Sequence, residues 1–538
     1  MIIPVLLCCV LQTYAQDNNS GIIIEKKTGH PRLMVNNKPF LILGGELGNS
    51  SASNAGYLAG YWKRLQDMHL NTVLLPVYWE LIEPEENKFD FSLLDSAVVQ
   101  ARLHNLNLVL LWFGTWKNSM SCYAPAWMKT NPVKFIRTAD NNGRSQEIFS
   151  VFGKATLDAD KKAFSSLMKH VKESNQSAST IIMVQVENEI GMLTTAREFS
   201  AVANSYYNDP VPTELVKYLQ QNKDRLTPEM QDKWASGSFL TNGSWEKTFG
   251  AGLATQEMFQ AWHYAKYANE VARAGKKVYD IPMYVNAALP RPGKLPGEYP
   301  SAGPLPQVMD IWQAAAPSID MLSPDFYNPD TKYWCDLYTR NSNTLFVPEM
   351  RFDKTCAAKV FFIIGHYNAI GFSPFSIENE NSGAAQLGNS YSLLQQLVPV
   401  IEENKWTGID GFLFDKNNPV VNSRMGKYNL RVSHESTMGW SAESKDSVWS
   451  TAGGMIIQTA PDEFLVAGTG VVAVFSNADS NYVTNILNAE EISFKGQTIV
   501  TRRRMNGDED HQGRHVRIPV GEWSIQRIKL YNSPAAVR

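Results

Sequence analysis

The chain has 538 residues, more than one ordinary hydrophobic core accommodates, so two or three domains are expected. Hydrophobic residues make up 44% and charged residues 19%, a globular balance that excludes a disordered chain. Net charge is −3 with both signs interspersed, which leaves no polybasic footprint for nucleic acid and suits a neutral substrate better than a polyanion.

Residues 1–10 are almost wholly apolar and lead into Tyr14-Ala15-Gln16-Asp17. This reads as a short signal peptide, residues 1–15, cleaved after Ala15, with the protein exported to the periplasm or beyond. The run is too short for a membrane span, which needs about twenty apolar residues. Cys8 and Cys9 raise a lipid anchor as the lesser alternative, because Leu7 is bulky for a lipoprotein cleavage site. Beyond the leader only Cys122, Cys335 and Cys356 remain, which is no disulfide framework, although Cys335 and Cys356 can pair in an oxidising compartment. No zinc spacing and no His-Glu-x-x-His pair occurs, so neither metal nor cofactor is expected.

From residue 16 to about 405, short apolar runs alternate with helix-like stretches such as 93–104 and 161–173. Candidate strands are 41–45, 72–77, 108–113, 181–187, 282–287, 319–324, 345–348 and 369–375. Eight strands with polar residues gathered at their C-terminal ends predict a (β/α)₈ barrel, an α/β fold with its site at that face. The insertion at 191–275 and the Pro/Gly-rich segment 290–306 follow strand ends, and so belong over the barrel mouth. From 406 to 538 the pattern changes to short β-branched runs at 464–467, 471–475, 493–500 and 523–530. These predict an antiparallel β-sandwich, more plausibly packed on the barrel than acting as a separate sugar-binding module.

The most informative stretch is Ile181-Ile-Met-Val-Gln-Val-Glu-Asn-Glu189, an apolar strand that runs directly into carboxylates. Burying carboxylates there is costly unless they are paired or used. A second run, Leu345-Phe-Val-Pro-Glu349, delivers another at the end of strand seven. Two carboxyl groups facing across a barrel mouth are what glycosidic cleavage needs, one to protonate the leaving oxygen and one to attack the anomeric carbon. The donor needs a raised pKa, while the nucleophile must stay ionised. Arg351 or the Tyr327 hydroxyl can hold Glu349 in its charged form.

The Asn188-Glu189 pair after strand four and Glu349 after strand seven resemble the retaining (β/α)₈ glycosidase clan. More closely, Leu70-Asn-Thr-Val, Tyr78-Trp79-Glu80, Glu83-Pro84, Phe89-Asp-Phe91 and Gln185-Val-Glu-Asn-Glu189 resemble the β-galactosidases of glycoside hydrolase family 35, over residues 30–400. The latter half of the C-terminal region resembles the β-sandwich of a divergent bacterial branch. The resemblance implies Glu189 as acid/base, Glu349 as nucleophile and Asn188 as donor to the sugar 2-hydroxyl. It departs at Pro76, where a Tyr is usual, at Ile190, and at Asn118, which falls where many members carry a sugar-binding Glu. Glu46, Trp116, Asn118 and Tyr327 complete the expected substrate contacts; Glu83 is expected to buttress the barrel, and Glu378 and Glu380 to lie near the mouth.

The function expected is exo-acting, retaining β-galactosidase action on an oligosaccharide or polysaccharide side chain. The alternatives are another β-glycosidase or a transglycosylase on the same machinery, or a non-catalytic sugar-binding protein. Nothing in the sequence fixes an oligomeric state.

Overall fold

The computed structural model describes residues 20–26, 30–403, 407–505 and 507–536. The predicted leader with Cys8 and Cys9, and the predicted domain boundary at 405, lie outside them.

All eight expected strands form, within a residue or two of their predicted ends: β1 (Ile42–Glu46), β2 (Thr72–Tyr78), β3 (Asn107–Phe113), β4 (Ile181–Gln185), β5 (Met283–Ala288), β6 (Met321–Phe326), β7 (Val347–Met350) and β8 (Gly371–Pro374). Each pairs in parallel with the next, and β8 returns to β1, closing the barrel. Closure explains their composition: with side chains inward and outward both covered, the strands read as continuous apolar runs rather than alternating ones. A three-stranded meander (Ile22–Glu25, Arg32–Val35, Lys38–Pro39) precedes the barrel.

The outer layer includes α1 (Lys154–Ser174) and α2 (Leu253–Val278), which pack together. On α1 the buried Ala163, Phe164, Leu167, Met168 and Val171 fall three or four apart, the single stripe of a helix laid on a sheet. The insertion after β4 holds four further short helices between 201 and 249 before α2 begins. Its first residues and the 290–306 segment meet where Met192 and Ser301 exchange backbone hydrogen bonds of 2.8 and 3.1 Å.

Between β7 and β8 runs α3 (Cys356–Tyr367), and after β8 runs α4 (Ala384–Glu403). The α3 sequence, Cys-Ala-Ala-Lys-Val-Phe-Phe-Ile-Ile-Gly-His-Tyr, is apolar nearly all round, which requires cover on both sides. The barrel supplies one side and the second domain the other.

That domain has two antiparallel sheets. Its strands are β9 (Ile409–Phe414), β10 (Val420–Met425), β11 (Tyr428–His434), β12 (Ala452–Ala460), β13 (Glu463–Thr469), β14 (Val471–Asn477), β15 (Tyr482–Lys495), β16 (Thr498–Arg504), β17 (Val516–Ile518) and β18 (Ser524–Pro534). One sheet runs β9-β12-β13-β18-β15-β16 and the other β10-β11-β14-β17. The expected strand at 493–500 is instead a hairpin. Gly496, at φ +62°, turns β15 into β16 in the middle of that β-branched run.

The six-stranded sheet lies against α3 at very short range. A Cβ on Gly411 would sit 2.4 Å from the Phe361 carbonyl oxygen, and one on Gly453 2.5 Å from that of Ala358, so only glycine permits the contact. Met455, Ile457, Leu465 and Ala467 join the barrel's own apolar core, and Trp523 donates its indole N–H to Ser390 on α4 at 3.0 Å. Cys335 and Cys356, which the sequence allowed to pair, are both free thiols, each buried in its own place in the barrel's outer layer. Among the described residues, no helix is long and apolar enough to cross a membrane.

Candidate active site

At the C-terminal end of β4 the chain makes a hook. Glu187 and Glu189 both take positive φ, 61° and 43°, with Asn188 between them. Such backbone is strained for a residue with a Cβ and persists only where neighbours over-determine it. They do so here. The Asn188 N–H donates to the Trp116 carbonyl at 3.2 Å, the Ser119 N–H to the Glu189 carbonyl at 3.2 Å, and the Glu189 N–H to Oδ1 of Asn286 on β5 at 2.9 Å.

The hook sends its two carboxylates to different places. Glu187 turns back into the wall, where Oε2 accepts the Trp116 N–H at 2.8 Å. Burial and the neighbouring charge of Asp160 push it well above the usual carboxylate range. Asp160 itself accepts from Trp112, Thr115 and Tyr267 at 2.7 to 3.0 Å. This pair is a structural network. Glu189 turns to the mouth.

Glu349 closes β7 and lies in register with Asp325 on β6. One carboxyl oxygen each of Glu189, Asp325 and Glu349 lies within 4.8 Å of the others. The spacing could hold a cation; the positive charge among these side chains is the Lys117 ammonium, 3.7 Å from Oε2 of Glu189. Lys117 is only 5% exposed. Burial opposes its charge, but Glu189, Glu349, Glu46 and Asp325 raise its proton affinity above that of an ordinary lysine, so it is charged.

Tyr327 donates its hydroxyl to Oε1 of Glu349, the contact the sequence suggested. Arg351 takes another place, with its guanidinium 5.9 Å from the Tyr327 ring centre. Burial, then the charge of Glu189, push the Glu349 carboxyl up to about 7, against the expectation of a firmly ionised nucleophile; Lys117 and Tyr327 pull it down. Burial and the charge of Glu349 likewise raise both Glu46, on β1, and Asp325 well above the usual range. Several buried acceptors and donors here find no partner among the described residues: Oε1 of Glu46, Oε2 of Glu349, Oδ1 of Asp325 and both side-chain atoms of Asn188. Native interiors rarely leave polar atoms in that state, and such a cluster suits a ligand rich in hydroxyls.

The structure brings Glu46, Glu189, Tyr327 and Glu349 together, with Asn188 buried next to Glu189 in the chain. Trp116 is placed differently: its ring is fully buried edge-on to Tyr264 and Tyr267, and its indole N–H goes to the Phe149 carbonyl at 3.2 Å. It is part of the wall, with no face left for a sugar. Asn118 is exposed at φ +48° and accepts from Lys117 at 2.9 Å. Glu83 is buried under Trp79 and the Asn87 N–H, a buttress as expected. Glu378 is buried against Gly48 and Ser51, while Glu380 is exposed. Sequence reasoning missed Asp325 and Lys117. For Asp325 the signal existed, since Ser323-Pro-Asp-Phe ends an apolar run with a carboxylate as Glu349 does. Its Oδ2 accepts from Asn286 at 2.7 Å, so one amide ties Asp325 to the backbone of Glu189.

Residues 58–237 match a family described as "Beta-galactosidase", and residues 387–517 one described as "Domain of unknown function (DUF5597)". A beta-galactosidase of Xanthomonas manihotis is 30% identical over 181 residues, covering 32% of this chain and 27% of that protein. Beta-galactosidase-1-like protein 3 of Homo sapiens is 29% identical over 172 residues, covering 30% and 24%. The chain thus aligns with about a quarter of the length of these curated relatives. Among solved structures, a beta-galactosidase from Rahnella sp. R3 superposes with a TM-score of 0.46 at 13% identity, over 67% of this chain and 57% of that one.

Proposed function

We propose that this protein is a retaining, exo-acting β-galactosidase of the family 35 type, which releases terminal β-galactosyl residues from oligosaccharides or polysaccharide side chains. The observation that carries the reading is the approach of the Glu189 and Glu349 carboxyl oxygens to within 4.8 Å. Retaining glycosidases hold their two carboxyl groups about 5–5.5 Å apart, whereas inverting ones leave room for a water between them.

In this reading Glu349, aligned by Tyr327, attacks the anomeric carbon while Glu189 gives its proton to the departing oxygen. Glu189 then takes a proton from water, which attacks the glycosyl–enzyme ester and releases the sugar with its configuration kept. Asn188, its amide buried and unpartnered, bonds the 2-hydroxyl, a contact that strengthens as the oxocarbenium-like transition state forms. Glu46, Lys117 and Asn118 stand where they can meet the remaining hydroxyls. Galactose as the sugar is supported by the likeness of residues 58–237 to β-galactosidases. Export of the protein is supported by its apolar leader, and N-terminal sequencing of the secreted product tests it.

Glu349→Gln is expected to lower kcat on an aryl β-galactoside by about 10³-fold or more. Glu189→Gln is expected to lower turnover as well, but to retain more activity on substrates whose leaving group needs no proton. The first sugar released, followed by NMR, is expected to be the β-anomer. Near-normal turnover in either variant, or an initial α-anomer, sinks the proposal. A panel of aryl β-glycosides separates galactose from other β-linked sugars.

A further inference from the structure

The mouth continues past Glu349. Tyr327, whose hydroxyl donates to Glu349, also lines a cavity of about 1000 Å³. One side of it comes from the barrel, from the segment after β6 and from the loop and helix α3 after β7. The other comes from the second domain, from β9, β10 and the turn between them. Neither domain makes this cleft alone.

Pockets for single small ligands span about 300–1000 Å³, so the cleft has room for more than the one sugar that the carboxylates hold. Its charge is mixed: three cations, Lys332, Arg351 and Lys359, against four aspartates. Part of that charge is already spent internally, as Lys332 pairs with Asp336 at 2.6 Å and Asp410 with His366 at 2.8 Å. A polyanion or polycation would find no field of one sign. What remains are hydrogen-bonding groups. Arg351 is exposed beside Tyr327 without an ion pair among the described residues, Asn422 is exposed on β10, and the Thr331 hydroxyl is buried without a partner. Phe326 and Phe362 add apolar ring surface.

We propose that this cleft binds the part of the substrate beyond the scissile bond, a neutral oligosaccharide or polysaccharide segment, so that the second domain helps to choose the substrate. The inference rests on the glycosidase reading of the mouth. Concavity, continuity with the nucleophile through Tyr327, and mixed charge all favour a polyhydroxylated chain over a protein partner.

The test uses the full chain. Wild-type kcat/KM is measured on an aryl β-galactoside and on two length series, linear β-1,4-galacto-oligosaccharides and gluco-oligosaccharides capped by a β-galactosyl unit. In at least one series kcat/KM is expected to rise roughly tenfold or more with length, the gain that added subsite contacts bring. Asn422→Ala and Arg351→Ala are expected to lower the ratio of oligosaccharide to aryl kcat/KM by a similar factor. Flat dependence on length in both series, with the aryl substrate hydrolysed, overturns the cleft inference and leaves the glycosidase reading standing. Equal losses on both substrates in the variants overturn it too. No hydrolysis of any substrate overturns the glycosidase reading, and the inference with it.

Discussion

Lys117 is one cation facing four carboxylates, Glu46, Glu189, Asp325 and Glu349. Its charge favours the ionised forms of Glu46 and Glu349, so removing it raises their proton affinity. Lys117→Met is therefore expected to move the acid limb of kcat/KM against pH upward by about one unit, measured on an aryl β-galactoside. Tyr327→Phe removes the hydroxyl that lowers the Glu349 carboxyl. It should shift the acid limb in the same direction and cut kcat by about 10- to 100-fold, the worth of a hydrogen bond to a charged group. An unmoved profile in either variant would remove that residue from the electrostatics of the mouth. Glu189 and Glu349 were legible in the sequence because a carboxylate closing an apolar strand is a costly choice that needs a use. Asp325 carried the same mark, but the neighbouring Tyr327 drew the reading. Lys117 carried none: a loop lysine is nearly always solvated, and only the fold reveals the four carboxylates around it. Trp116 looked available for a sugar because it stands beside Asn118; its burial depends on α2, more than 130 residues away, which no local pattern reports.

At the scale of elements, the eight barrel strands were legible because strands buried on both faces are written as unbroken apolar runs. The hairpin at Gly496 was not, since β-branched residues flank the turn and one glycine looks like an ordinary interruption. The pressing of the second domain on α3 was equally hidden, although α3 itself, apolar nearly all round, announced that it would be covered twice. Gly411 and Gly453 set that contact. Gly411→Val would drive a side chain into the Phe361 carbonyl, backbone that cannot give way cheaply. The expected cost is about 1–3 kcal/mol, read as a fall in midpoint or a split of the thermal transition. An unchanged melt would mean that the two domains are held together elsewhere.

For the molecule as a whole, the mouth sets how stability varies with pH. Glu349 is pushed up to about 7, and Glu46 and Asp325 are raised in the same direction. The folded state therefore holds these protons more tightly than the unfolded chain does. For Glu349 the favourable contribution is complete below about 4.5, its ordinary value, and is lost as pH rises through about 7; the others act in the same direction. Glu349→Gln removes the dependence of that one group. It should leave stability near pH 4.5 almost unchanged and raise it at pH 8 by up to about 3 kcal/mol, as denaturant melts at the two pH values would record. Equal effects at both would show that burial of Glu349 carries no such cost.

The strand order of the second domain has a consequence for synthesis on the ribosome. In the six-stranded sheet the last strand, β18, is not at an edge; it lies between β13 and β15 and bonds to both. Until residues 524–534 emerge, β9, β12 and β13 on one side and β15 and β16 on the other have no shared strand. Meanwhile α3, which directly follows the strand carrying Glu349, waits for the sheet that covers its outer face. The barrel is translated first but finished last, and its exposed helix is the surface a chaperone would meet in the interval.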